Sequence, residues 1–312
     1  MELKIGPLTP SDLEEADRVF RIAFGTRNGL PDPIQFDGDA ARIRTRSLSS
    51  HVIALGAWHN GVLVASSIGT AWGSFGWIGP LSVLPDYWNS GIGQRLLQPT
   101  IESLEQQRVK HQALFTVAES PKHVALYHRF GFWPGFLILI SQKVGLTRTG
   151  LGYHLYSRLN ETDKQALLDS CRHLTSTIYP GLDLSAEIGE VQRQSLGDII
   201  FVGTPDKLAG SAVCHLGPGS EASSGTVHIK FGAVRSGPHA AETFNQLLSS
   251  CEEWSASKGA KRLTAGINTA RREAYSAMVS HGFRAIQQGV AMHRPDEPAY
   301  DRQGAFVIDD WR

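Results

Sequence analysis

Residues 79–97 read Gly-Pro-Leu-Ser-Val-Leu-Pro-Asp-Tyr-Trp-Asn-Ser-Gly-Ile-Gly-Gln-Arg-Leu-Leu. An apolar run stops at Pro85, a polar turn carries Gly91 and Gly93, and Leu96-Leu97 begins helical spacing. That order predicts a strand, a glycine-bearing turn and the start of a helix. At such a helix start the first backbone N–H groups lack intrahelical partners, and the macrodipole adds partial positive charge. Glycines there let a pyrophosphate approach the backbone closely, with no need for a lysine or a metal.

Residues 3–8 on the N-terminal side predict a short strand. Thr9-Pro10-Ser11-Asp12 then offers a cap to a helix with Leu13, Ala16, Val19, Phe20 and Ala23 on one face. Gly25–Asp39 is rich in Gly, Pro and Asp and predicts a loop, followed by a helix to about Leu48. His51–Ala57 and Val62–Gly69 flank Asn60-Gly61, a strong hairpin signal, and a third strand covers Ser74–Leu84. Beyond the quoted stretch come a helix to Gln107, a strand Ala113–Val117, a short helix His123–Phe130 closed by Gly131, and a strand Phe136–Lys143. Gly145–Gly152 predicts a linker.

The second half repeats this order 151 residues later. Leu8 and Asp12 land on Leu159 and Asp163, Leu96-Leu97 on Leu247-Leu248, and Gly131-Phe132 on Gly282-Phe283. Only the hairpin breaks register, where Val64-Ala65 corresponds to Leu208-Ala209 after a short deletion. A duplication is therefore expected, with domains at residues 1–145 and 153–312. The length of 312 residues agrees, since single cores rarely grow beyond about 250–300 residues.

Thirty Lys+Arg against thirty Asp+Glu leave a formal net charge of +0, which argues against nucleic acid as the main partner and against acidic disorder. Cys171, Cys214 and Cys251 are too few and too scattered for a disulfide framework or a metal site. Met1-Glu-Leu-Lys leads straight into acidic helix, and the longest apolar run, Phe136–Ile140, is far short of the ~20 residues of a membrane span. A cytoplasmic protein with no membrane partner is expected.

The glycine turn combines with Ala125-Leu-Tyr127-His-Arg-Phe-Gly131-Phe132 downstream of strand Ala113–Val117. Together they resemble the GNAT superfamily of acyl-CoA-dependent N-acyltransferases over residues 3–143. The resemblance implies an α+β fold of two tandem GNAT-like domains, each a mixed, mostly antiparallel sheet flanked by helices. It implies acetyl-CoA as co-substrate, its pantetheine arm along Leu81, Ser82 and Val83. The pyrophosphate would sit on the amides of Asn89, Ser90, Gly91, Ile92, Gly93 and Gln94. Trp88 stands where the family usually has Gln or Arg, a change that leaves those amides unaffected. Tyr127 matches the tyrosine that protonates the departing thiolate. An amine attacking a thioester builds an oxyanion and expels a thiolate, so amide donors and a phenol suit both charges.

Strand Ser74–Val83 carries no acid, which leaves Glu119 as the candidate general base. Ser120 replaces a family asparagine that touches the cofactor. Trp72, Trp77, Trp88 and Trp133 are core aromatics or walls of an acceptor pocket. Asp32, Asp37 and Asp39 are solvated turn formers or partners for a cationic amine. His51, His111, His123 and His128 have no ligand spacing and are expected on the surface or at caps.

At the same offset Gly91 becomes Glu242, Gly93 becomes Phe244 and Tyr127 becomes Met278. An acid on that turn repels pyrophosphate and a thioether donates no proton, so the second half resembles a domain that has lost its cofactor site. It is expected to complete the acceptor pocket or to stabilise the first half. Residues 305–312 predict a terminal strand tying the halves together.

The expected reaction is transfer of an acetyl group to an amine of a small molecule or peptide by direct attack, since the first 170 residues hold no cysteine. A non-catalytic acyl-CoA-binding regulator, and an acyltransferase for longer acyl groups or non-amine acceptors, are the alternatives.

Overall fold

The computed structural model describes residues 2–150 and 152–312. The readings at Met1, and at Leu151 within the linker, lie outside the described residues. In chain order the first half runs β1 (Lys4–Pro7), α1 (Leu13–Arg27), α2 (Arg42–Ser47), β2 (Val52–His59), β3 (Val62–Trp72), β4 (Phe75–Val83), α3 (Ile92–Gln106), β5 (His111–Thr116), α4 (Pro121–His128) and β6 (Trp133–Val144). The second runs β7 (His154–Leu155), α5 (Glu161–Ile178), α6 (Ser185–Arg193), β8 (Gly197–Thr204), β9 (Lys207–Leu216), β10 (Thr226–Val234), α7 (Ala240–Ser257), β11 (Arg262–Asn268), α8 (Arg272–Ser280), β12 (Arg284–Arg294) and β13 (Val307–Asp309).

The fold is α+β, with a mostly antiparallel sheet flanked by helices. β4–β5 and β10–β11 are its two parallel pairs. All strands join one sheet in the order β1-β2-β3-β4-β5-β12-β6-β11-β10-β9-β8-β7, with β13 branching from β10. The halves exchange their last long strands: β12 pairs with β5, and β6 pairs with β11. β6 and β12 then pair with each other at the centre, so the sheet has no seam between the halves.

The 151-residue offset recurs in the elements: β4 and β10 each span nine residues at that spacing, and α4 and α8 both start at it. The helical periodicity of α1 buries Ala16, Val19 and Phe20 against Leu63 and Ile68 of β3. α3 buries Ile92, Leu96 and Leu97, the first two against Ala57, Val64 and Ala65, and the third against Ile78 and Leu114. The largest core is shared: Trp72, Phe75 and Trp77 of the first half pack with Leu167, Leu174, Ile188, Phe231 and Trp311 of the second.

The loop expected over Gly25–Asp39 is shorter than its composition suggests. α1 continues to Arg27 with Gly25 buried, and Pro33–Gln35 form a turn of 3-10 helix. A Cβ on Gly25 would lie 2.2 Å from the Pro33 carbonyl, so a glycine lets that loop fold back onto the helix. All three cysteines are free and buried. Among the described residues no helix is long and apolar enough to cross a membrane.

Candidate functional site

β4 and β5 pair only from Phe75↔His111 to Ile78↔Leu114. β4 runs on to Val83 with β3 along one edge and no β5 partner along the other, which leaves the edge of Leu81, Ser82 and Val83 facing a wedge. An extended ligand carrying amides fits such an edge by adding to the sheet. Ser82 is buried, and its Oγ and that of its cross-strand partner Ser66 have no hydrogen-bond partner among the described residues.

The wedge leads to the glycine turn. Gly91 caps α3 in the left-handed region at φ 81°, and Asn89 shares that region at φ 66°. A Cβ on Gly91 would meet nothing within 4 Å, so the space above it is open. α3 begins at Ile92, so the amides of Ile92, Gly93 and Gln94 have no intrahelical acceptor. An exposed turn of free N–H groups at the positive end of a 15-residue helix suits an anion such as a pyrophosphate. Trp88 has a structural job: its indole N–H donates to the Val83 carbonyl at 2.7 Å and ties the turn to the end of β4. Lys122 of α4 donates to the Asn89 side chain, placing a cation beside the turn.

Tyr127 lies on α4, buried against Phe132, with its ring edge-on at 6.4 Å. Burial pushes its phenol up to about 12, although Arg27 and a hydrogen bond with Thr116 pull it down. The group therefore keeps its proton throughout the neutral range. Glu119, exposed just beyond β5, lies 3.8 Å from the Arg27 guanidinium. Arg27 thus acts electrostatically on both residues assigned to proton transfer. Ser120 caps α4 and hydrogen-bonds His123 at 2.6 Å. Burial, then Arg27 and Lys122, lower the His123 pKa. Sequence reasoning missed Arg27 and Thr116: a basic residue in a helix's last turn reads as dipole compensation, and a strand-end threonine carries no signal.

Several other candidates are otherwise engaged. Asp37 pairs with Arg42 at 3.1 Å within the first half, and Asp39 accepts from the Ser224 amide at 2.7 Å across the interface between halves. Trp72 and Trp77 are wholly buried, whereas Trp88 and Trp133 are exposed. His51 and His111 are not on the surface. His51 hydrogen-bonds Glu187 at 3.0 Å, and His111 hydrogen-bonds His293 at 2.9 Å, both across the interface between halves.

The second half opens the same wedge and then fills it. β10 and β11 pair only from Thr226↔Arg262 to Ile229↔Ala265. Beyond that point β13 takes the free edge of β10, with Phe231↔Asp309, Gly232↔Ile308 and Ala233↔Val307. Phe244 is buried against Phe306 at 5.3 Å, Met278 is core, and Glu242 stands exposed in the first turn of α7.

Residues 19–132 match the sequence model of the acetyltransferase (GNAT) family. No curated protein matches the sequence. Among solved structures, a proposed acetyltransferase from Pyrococcus horikoshii superposes with a TM-score of 0.69 at 13% identity, over 99% of this chain and 95% of its own. A GCN5-related N-acetyltransferase from Sphaerobacter thermophilus gives 0.59 at 14% identity, over 94% and 95%. A glucosamine N-acetyltransferase region of a fungal multi-domain β-N-acetylglucosaminidase gives 0.67 at 12% identity, over 94% of this chain and 38% of that one. At these identities the likeness is one of fold, and it extends over both halves.

Proposed function

Because residues 19–132 form a domain of the acetyltransferase (GNAT) family and the chain is accordingly an acyltransferase, we propose that it moves an acetyl group from acetyl-CoA to an amine of a small molecule or peptide. The observation that carries this reading is the open wedge: a free strand edge at Leu81–Val83 running into a turn of unpartnered amides. Bound acetyl-CoA supplies the acetyl group as a thioester, already activated for attack by an amine. The Leu81–Val83 edge holds the pantetheine arm, and Asn89–Gln94 hold the pyrophosphate. Tyr127 gives its proton to the leaving sulfur, and Glu119 takes one from the incoming ammonium through water. Direct attack fits a first half without cysteine.

The proposed division is a catalytic unit at residues 1–145 and a cofactor-free unit at 153–312, in a cytoplasmic protein. With β13 on the edge that the pantetheine arm would use, and Glu242 and Phe244 in place of glycines, the second unit takes no acetyl-CoA.

Release of free thiol from acetyl-CoA, followed over a panel of amines, tests the assignment. With a positive amine, Glu119→Gln lowers kcat/KM at neutral pH by about tenfold to 100-fold, and the loss closes as pH approaches the amine's own pKa. A pH-independent loss, or none, removes Glu119 from the base role.

A further inference from the structure

At the head of each wedge the strand is irregular, and that irregularity frees a backbone carbonyl. In β4, Ile78 pairs with Gly69 but Leu81 already pairs with Ser67, so Gly79 and Pro80 face the single residue Ile68 of β3. β10 also carries one extra residue, Lys230, between Ile229 and Phe231, whose partners Cys214 and Val213 are adjacent. Lys230 lies 151 residues after Gly79. A buried carbonyl without a partner is costly, so each must find a donor outside the ladder.

The two halves solve this differently. The Lys230 carbonyl accepts from the Asp310 amide at 3.1 Å, and the strand that brings this amide, β13, covers the β10 edge. The Gly79 carbonyl accepts instead from Arg46 Nη1 at 3.1 Å. A guanidinium on α2 reaches the carbonyl without laying a strand along β4, so the edge of Leu81–Val83 stays open. Arg46 is itself buried, with its guanidinium 4.6 Å from the Trp77 ring centroid. Its Nη2 donates to Glu221 Oε2 at 2.5 Å, a residue of the second half. Glu221 is buried too, and is held by Lys230 at 2.6 Å and by Arg42 at 3.4 Å.

We infer that Arg46 is a positioning residue for the acyl-CoA wedge, and that the second half serves the first by holding Arg46 in place through Glu221. This rests on the acetyl-CoA reading above and assigns the cofactor-free half a part in the same site. Arginine suits the task because its planar fork bonds two acceptors at once, whereas a lysine ammonium is a single point on a flexible stem. Arg46→Lys therefore keeps the buried positive charge but cannot hold both Gly79 and Glu221 in the present geometry.

The test compares two ligands on the full-length chain. Acetyl-CoA needs both the wedge and the glycine turn, whereas 3′-phospho-ADP, which lacks pantetheine, needs the turn alone. Arg46→Lys is expected to weaken acetyl-CoA about tenfold while 3′-phospho-ADP stays within about twofold of wild type. The double variant Arg46→Met with Glu221→Gln, which removes opposite charges together, is expected to do the same. If that buried change prevents folding, Arg46→Lys decides alone. Equal weakening of both ligands, or of neither, overturns the positioning role. A wild type that binds no acetyl-CoA overturns the acetyl-CoA reading itself, a result distinct from a variant that binds as well as wild type.

Discussion

Replacing Tyr127 by Phe lowers kcat by about 100- to 1000-fold while KM for acetyl-CoA moves by less than about threefold. The ring stays in the same core cluster beside Phe132 and Val290, so the fold and the wedge survive, and what is lost is the hydroxyl with its acidic proton and its bond to Thr116. Binding is insensitive because the amides of the α3 turn and the Leu81–Val83 edge are backbone groups that the substitution leaves alone. The pH dependence follows from the sign of the shift. Burial raises the phenol to about 12, so its protonated form persists at pH values where an ordinary tyrosine has ionised. In the free protein, the difference in tyrosinate absorbance between wild type and Tyr127→Phe should therefore appear only above about pH 11. A Phe variant with wild-type kcat would mean that another donor, or water, protonates the sulfur.

Gly266→Ala is expected to cost about 3–5 kcal/mol of stability, a large effect for one methyl group. Gly266 lies on β11, and a Cβ there would sit 2.0 Å from the Asp309 carbonyl oxygen. The obstacle is backbone, so no side-chain rotation relieves it; either β13 leaves its seat or β11 shifts. β13 is also anchored by Arg271, which donates to the Val307 carbonyl at 2.7 Å and pairs with Asp309 and Asp301. Leaving the seat would thus break a buried ion network, and such breaks are expensive. Denaturant unfolding measures the loss, and amide exchange at Val307–Asp309 locates it. A variant as stable as wild type, with β13 still protected, would contradict the tight filling of the second wedge.

The local elements were legible because period and punctuation carry them. The Asn60-Gly61 hairpin, the Pro85 stop and the Gly131 closure of α4 all lie where turn chemistry demands. The 151-residue repeat was legible for the same reason. Partner choice was not. Nothing local tells β6 to pair with β11 and β12 with β5, because the pairing of strands so distant in sequence is set by the folded sheet and not by either strand's own residues. Residues 305–312 read as a strand from their apolar run, yet pairing to β10 depends on a wedge that exists only in the folded sheet. His51 and His111 were misread because a histidine's surroundings come from distant segments, here Glu187 and His293. Arg46 and Glu221 gave no signal, since one of three arginines on a short helix and an acid in a loop look solvated until the halves close over them.

A single acyl-CoA site is proposed, on the α3 turn of the first half. Calorimetric titration of acetyl-CoA into wild type and Gly91→Glu tests it most directly. Gly91 holds φ 81°, which disfavours any side chain, and a glutamate there, the residue found 151 positions on at Glu242, sets an anion over the free amides. One equivalent bound by wild type and at least about 100-fold weaker binding by the variant are expected. Binding that survives Gly91→Glu, or two equivalents in wild type, would contradict the single site.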